Sequence, residues 1–172
     1  MDVNFINPFI LATVHTFDKM LGCRIDRQSV QLKQNHCPLY PVSGIIGLSG
    51  NGVGTVVLSL SRKVALAATS TILMTDVKTI DEDVIDAVGE LVNVVAGNAK
   101  TRLASYGLSI SLPSVVTGLN HTVSFPKSVP PISVLFDSPW GPLALEVGLK
   151  TPDKTPPSEA ATHPAILEES QR

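Results

Sequence analysis

The chain has 172 residues, of which 44% are hydrophobic and only 16% are charged, so most of it can fold around one sizeable core. Its formal net charge of −2 provides no basic face for nucleic acid. Cys23 and Cys37 form no Cys-x-x-Cys pair, and the four histidines follow no metal-ligand spacing, which argues against a disulfide framework or a metal site. There is no signal-peptide pattern and no unbroken apolar stretch of spanning length, which predicts a cytoplasmic protein that is not inserted in a membrane.

The N-terminal segment predicts a helix followed by a strand. Apolar residues at helical spacing place the helix over Asn7–Leu21, with Asn7 as its N-cap and Pro8 at its first position. Gln28–Lys33 alternates apolar and polar residues, which is typical of a short strand.

Two β-prone runs, Val42–Leu48 and Val53–Leu60, flank a glycine-rich turn that contains Asn51-Gly52. Asn-Gly between such runs is a strong hairpin signal. The glycines could also suggest a phosphate-binding loop, but the Gly-Lys-Ser/Thr ending is missing and a strand follows instead of a helix. We therefore predict a β-hairpin at this point.

The second half predicts two helices and then a series of strands. A short helix is expected over Arg62–Leu73, and the acidic run Asp81–Asp83 suits the N-terminus of a long helix that ends near Tyr106, before Gly107. The strands predicted after it are Leu108–Leu112, Ser114–Thr117, Thr122–Phe125, Ile132–Phe136 and Leu143–Leu149. This order predicts an α+β fold, with helices packed on one face of a largely antiparallel β-sheet.

A change in composition near Thr151 predicts the end of the folded domain. Prolines then recur among Ser, Thr, Glu and Ala, and no apolar period continues. We predict one domain over residues 1–150 and a flexible Pro-rich tail over residues 151–172.

The long helix has two predicted faces. One stripe is apolar at the three-and-four spacing of a buried face, and consists of Val84, Val88, Leu91, Val95, Ala99 and Leu103. The opposing stripe consists of Asp86, Glu90, Asn93, Gly97, Lys100 and Ala104. Glycine inside an exposed helix is unfavourable by about 1 kcal/mol relative to alanine, so Gly97 suggests a place where a partner approaches closely. On spacing alone, however, Glu90 and Asn93 are compatible with an ordinary solvated helix face.

The run from Gly89 to Asn98, GELVNVVAGN, resembles the signature of the CheC/CheX/FliY family of chemotaxis phosphatases. That signature has an acidic or hydroxyl residue, then Glu, then Asn, then a downstream proline, which Asp86, Glu90, Asn93 and Pro113 match. Three further segments also resemble the CheX branch: the opening Ile6–Phe9, the helix up to Leu21, and Leu112–Val116. CheC-type members carry two such helices, whereas here Leu11 and Val14 stand where the first helix would need Glu and Asn.

The resemblance implies a phosphatase that acts in trans on the phosphoryl-aspartate of a CheY-like receiver protein. Asn93 would orient the attacking water, since a carboxamide offers a donor and an acceptor at fixed geometry. Glu90 would pair with the receiver's lysine, while Asp86, Gly97 and Pro113 would support partner binding. The chain would need no cofactor of its own, because Mg²⁺ would come with the receiver. The CheX likeness also implies a homodimer.

Two alternatives remain open at this point. The chain could be a CheX-like module that binds a receiver without hydrolysing it, or a purely structural dimerising domain. A phosphate-release assay separates the first from the phosphatase. The second predicts tolerance to substitution at both Glu90 and Asn93.

Overall fold

The computed structural model describes residues 3–35, 37–127 and 129–151, and these form three α-helices, one 3-10 turn and seven strands. In chain order the elements are α1 (Val3–Leu21), β1 (Asp26–Leu32), β2 (Val42–Gly50), β3 (Val53–Leu60), α2 (Arg62–Leu73), α3 (Glu82–Arg102), a 3-10 turn (Ala104–Tyr106), β4 (Leu108–Ile110), β5 (Ser114–Thr117), β6 (Ile132–Asp137) and β7 (Leu143–Lys150).

The strands form one sheet in the order β1-β6-β7-β3-β2-β4, and all of the pairings are antiparallel. β5 also pairs with β2, so β4 and β5 lie one after the other along the same edge of that strand. β2 and β3 form the hairpin predicted around Asn51-Gly52. The predicted α+β class with an antiparallel sheet is therefore confirmed.

The helices cover one face of this sheet, and the main core lies between the two layers. Alternate residues of the central strands point into it, such as Val56 and Leu58 of β3 and Leu143 and Leu145 of β7. α3 is the central helix, since it contacts α1, α2 and the strands β2 to β5. Of the described residues, no helix has the length and apolar character needed to cross a membrane.

Gly44 on β2 lets α3 lie unusually close to the sheet. A Cβ at this position would be 2.8 Å from Val92 Cγ1 and 3.1 Å from the carbonyl oxygen of Val88. Any side chain at residue 44 would push the helix outward, so this glycine fixes how deeply α3 is seated. The seating matters because it decides which residues of α3 reach solvent.

The start of α1 differs from the prediction. The helix begins at Val3 rather than Asn7, so Asn7 is not its N-cap and Pro8 lies inside the helix. A proline within a helix removes one backbone hydrogen bond. Burial of Ile6 and Phe9 beneath the same helix favours continuing it through that position.

The predicted strand Thr122–Phe125 is wrong, because this segment pairs with no other strand. Its alternating pattern has another cause: Val123 and Phe125 are buried against Val57 on the second face of the sheet, while Thr122 and Ser124 are exposed. An alternating sequence pattern indicates which residues face an apolar surface. A loop that lies across a sheet can have this pattern just as a paired strand can.

Smaller differences concern the ends of elements. The first strand is Asp26–Leu32 instead of Gln28–Lys33, and β4 stops at Ile110, two residues before the predicted end. α3 ends at Arg102, and the 3-10 turn completes the path to Gly107, whose φ of 52° is left-handed. Of the predicted tail, only Thr151 is among the described residues, so that prediction lies outside them.

Candidate functional site

Local sequence explains why α3 begins and ends where it does. The Asp81 side chain accepts a hydrogen bond from the backbone N–H of Val84 and so caps the first turn. Glu82 and Asp83 in the first turn, and Lys100 and Arg102 in the last, match the partial charges at the two ends of the helix. The helix thus has a fixed start and register, which fixes the direction of every side chain along it.

Nine of the 21 residues of α3 are buried. Every member of the predicted apolar stripe is buried, and so are Ala87, Gly89, Val92 and Ala96. Among the residues that reach solvent is the predicted outward strip, which we call the α3 ridge: Asp86, Glu90, Asn93, Gly97 and Lys100. Ile85, Val94 and Asn98 also reach solvent, to either side of this ridge. The predicted outward placement is confirmed for these five residues, while Ala104, the sixth member of the predicted stripe, lies beyond the helix in the 3-10 turn and is exposed. The buried face is wider than the predicted apolar stripe.

Glu90 and Asn93 stand next to each other on this ridge. Glu90 is exposed and Asn93 is half-buried, and a spacing of three residues separates them by about 4.5 Å along the helix axis. Among the residues that the structure describes, neither side chain has a hydrogen-bond or ion-pair partner. A carboxylate and a carboxamide are thus presented together, with their polar atoms free to contact another molecule.

Gly97 continues the ridge one turn beyond Asn93. A Cβ placed on it would have nothing within 4 Å, so no neighbour in this chain requires a glycine there. Its φ is also not positive, so the backbone does not require one either. The feature left to explain Gly97 is the bare backbone that it leaves beside Asn93.

Asp86 lies one turn before Glu90 and is exposed. Together with the exposed Asp83, it makes the N-terminal part of the ridge acidic. Such a surface attracts a cationic side chain of a partner and repels an anionic one.

Pro113 lies against the side of α3. Its Cγ would be 3.7 Å from a Cβ on Gly89, and Val115 Cγ2 would be 3.6 Å from it. Gly89 and Asn93 are four residues apart and share one side of the helix, so Pro113 borders the ridge on the side of Asn93. The structure therefore brings all five predicted site residues into one region of the surface.

Sequence reasoning missed the residues that hold Pro113 in place. Ser111 donates its backbone N–H to the Gly47 carbonyl at 2.9 Å, and its hydroxyl accepts from the Gly47 N–H at 2.9 Å. That hydroxyl also donates to the carbonyl of Leu112 at 2.7 Å. The only signal in the sequence is a proline after a predicted strand, and that predicted strand includes Leu112, whereas β4 stops at Ile110.

Within the described ranges, no group of three or more His, Cys, Asp and Glu side chains is placed to hold a metal ion.

Comparison with known proteins identifies the family. The sequence profile of "Chemotaxis phosphatase CheX" matches residues 42–137, which span β2 to β6 and include the whole ridge. The chain belongs to the CheX family.

Three CheX proteins are similar to this chain over most of its length. A protein of Thermotoga maritima named "CheY-P phosphatase CheX" is 27% identical over 122 residues, which is 69% of this chain and 78% of that protein. The crystal structure of chemotaxis protein CheX from Desulfovibrio desulfuricans covers 86% of this chain and 100% of its own, with 28% identity and a TM-score of 0.79. CheX in the CheX–CheY–BeF3–Mg²⁺ complex from Borrelia burgdorferi is 25% identical, covers 87% of this chain and 99% of its own, and has a TM-score of 0.72.

Proposed function

We propose that this chain is a phosphatase that removes the phosphoryl group from the aspartate of a CheY-like receiver protein. The observation that carries the proposal is the unpaired Glu90 and Asn93, side by side on the solvent-facing ridge of α3. Membership of the CheX family supports the reaction class, and the relatives named for CheY-P dephosphorylation and for a complex with CheY support the partner.

In this proposal Asn93 enters the receiver's active site and orients the attacking water. Hydrolysis of an acyl phosphate passes through a loose transition state, so placing a water in line with the phosphorus is the main requirement. A carboxamide can accept one hydrogen of the water and donate to a phosphoryl oxygen without changing its own protonation. Packing of α3 against α1, α2 and the sheet fixes the backbone of Asn93, which lowers the entropic cost of that placement.

Glu90 has the second role, as the anchor for a lysine of the receiver. An ion pair with hydrogen-bond geometry fixes the relative register of the two proteins as well as adding affinity. The bare backbone at Gly97 lets the receiver surface come close to α3 at the next turn. A Mg²⁺ ion held by the receiver would offset the negative charge of the phosphoryl group.

The proposal is tested by mixing the purified chain with CheY-like receivers that carry a labelled phosphoryl group, and timing the loss of label. We expect the rate at which the label is lost to increase in proportion to the amount of chain added. Tight binding without accelerated loss would favour the non-catalytic binding module instead. If the chain neither binds any receiver nor accelerates the loss of label, the remaining alternative is a purely structural dimerising domain.

Glu90→Ala is expected to weaken receiver binding by roughly tenfold to a hundredfold, the range for removing one charge-assisted hydrogen bond. The rate at saturating receiver should change much less, because Glu90 does not contact the water. Raising the salt concentration should weaken the wild-type complex more than the variant, since one ion pair has been removed.

Asp76→Ala is the matched control for Glu90→Ala, because it removes one exposed carboxylate from the loop between α2 and α3. Binding that is unchanged by Glu90→Ala, or weakened equally by both substitutions, would contradict the anchoring role.

We also propose that the chain forms a homodimer. β1 is one edge of the sheet, and its Val30 and Leu32 side chains are 47% and 63% exposed. An edge strand with free backbone groups and exposed apolar side chains is suited to pairing with another strand. Light scattering should then report twice the 18.2 kDa of one chain, whereas a mass of one chain at micromolar concentration would contradict the dimer.

A further inference from the structure

Leu112 is a large apolar residue that is 88% exposed at the border of the α3 ridge. It lies in the three-residue segment between β4 and β5, where the chain leaves the sheet edge and returns to it. Single exposed leucines are common on protein surfaces, so what distinguishes Leu112 is the way its backbone is held and its place beside the ridge.

The segment is held at both of its ends. On one side, Ser111 makes two hydrogen bonds with the backbone of Gly47 in β2. On the other, the Pro113 ring packs against α3 at Gly89. The Leu112 carbonyl is itself bonded to the Ser111 hydroxyl, so the backbone of Leu112 is fixed and its side chain projects from a rigid base.

Rigidity of this kind matters for binding. A residue whose backbone is already fixed loses little backbone entropy when a partner covers it, so more of the apolar burial is retained as affinity. Pro113 contacts α3 at Gly89, one turn from Asn93 on the same side of the helix, and Leu112 is the residue directly before Pro113. Leu112 is therefore anchored at the same border of the ridge that a molecule receiving Asn93 would cover.

We propose that Leu112 is the apolar docking residue for the receiver, acting next to the polar pair Glu90 and Asn93. The docking role of Leu112 rests on the proposed function. It also specifies the surface that the receiver must have, which is an apolar patch next to its phosphorylation site. The polar pair then fixes orientation, and Leu112 adds affinity that does not depend on salt.

The test compares Leu112→Ala with Leu11→Ala. Leu11 is also an exposed leucine, 52% accessible on α1, where it lines a groove with Arg102 on the side of α3 opposite Asn93. Two quantities are measured: the KM and kcat for dephosphorylation of a labelled CheY-like receiver, and the Kd for the same receiver carrying beryllofluoride and Mg²⁺. The oligomeric state of each variant is recorded by light scattering.

We expect Leu112→Ala to raise KM and Kd roughly tenfold or more while kcat stays within about twofold, as for the loss of one buried leucine side chain. Leu11→Ala should leave all three values unchanged. Leu112→Met keeps an apolar side chain of similar volume and should restore most of the affinity.

Three results would overturn the inference. Unchanged KM and Kd in Leu112→Ala, with wild-type activity intact, would remove the docking role and leave the proposed function standing. A changed oligomeric state at constant receiver affinity would assign Leu112 to contacts between two copies of this chain. A wild-type chain that neither binds nor dephosphorylates any receiver would remove the proposed function, and the docking role with it.

Discussion

Replacing Asn93 with alanine is expected to lower the rate of receiver dephosphorylation at saturating receiver about a hundredfold or more, the loss typical of removing one positioning group. Affinity for the receiver should change little, because Glu90 and the rest of the ridge remain. The substitution should not disturb folding, since Asn93 is half-buried and its side chain makes no hydrogen bond within the described residues. Single-turnover loss of labelled phosphate measures the rate, and beryllofluoride-loaded receiver measures the affinity.

Asn98→Ala provides the control on the same helix. Asn98 is exposed, but five residues place it about 140° around the helix from Asn93, away from the ridge. Both variants should unfold at similar temperatures, and only Asn93→Ala should lose activity. Full activity of Asn93→Ala would refute the water-positioning role, and an equal loss in both variants would indicate a general effect on α3.

The two faces of α3 could be predicted from sequence because period and burial are directly linked in a helix. Val84, Val88 and Leu91 recur at three and four residues, and only one side of a helix can satisfy that spacing. The position of Glu90 and Asn93 on the outward side then follows from geometry. The family signature was needed to propose roles for them, since a carboxylate and an amide on a helix surface are common.

Two features of the site could not be predicted because they depend on contacts between distant parts of the chain. Gly44 allows α3 to approach the sheet, but a lone glycine in a strand does not reveal what lies above it. Leu112 looked like the last residue of a strand, because the bonds from Ser111 to Gly47 that end β4 join residues 64 positions apart. The rigid segment that borders the ridge is therefore visible only in the folded chain.

The false strand at Thr122–Phe125 has a similar physical origin. The segment covers the second face of the sheet, where Phe125 lies on Gly148: a Cβ there would be 2.9 Å from the Phe125 ring. The hydroxyl of Thr55 also bonds to the Ser124 carbonyl at 3.1 Å. Alternate residues of this segment are buried as they would be in a strand, but the sequence carries no record of which backbone groups pair.

Beneath this cover lies a buried ion pair that is separate from the ridge. Lys33, just after β1, contacts the Glu146 carboxylate on β7, and the two side chains are only 6% and 0% exposed. Lys33 Nζ also donates to the Cys37 carbonyl at 2.6 Å. The second carboxylate oxygen of Glu146 has no partner among the described residues. Lys33 is thus the main compensation for a charge held inside the protein.

Lys33→Met is expected to lower the free energy of unfolding by about 3–5 kcal/mol at neutral pH, because it leaves the Glu146 charge buried without its partner. The double variant Lys33→Met/Glu146→Gln should recover most of this loss, since it removes both charges and nearly preserves the side-chain volumes. Urea unfolding monitored by circular dichroism measures all three proteins. Equal stability of wild type and Lys33→Met would show that the ion pair contributes little, and a double variant no better than the single one would point to lost packing instead.

The pH dependence gives an independent check on the Lys33→Met effect. Burial raises the pKa of Glu146 above its ordinary value of 4.5, and the contact with Lys33 and, to a lesser degree, the charge of His121 oppose that rise. Removing Lys33 takes away the main opposing influence, so the pKa should rise further in the variant. The folded variant then binds a proton more tightly than its unfolded chain, and its stability increases as the pH falls from neutral toward 4.5. The difference in the free energy of unfolding between wild type and Lys33→Met should therefore be smaller at about pH 5 than at pH 7. If that difference does not depend on pH, lost packing and not the buried charge destabilises the variant.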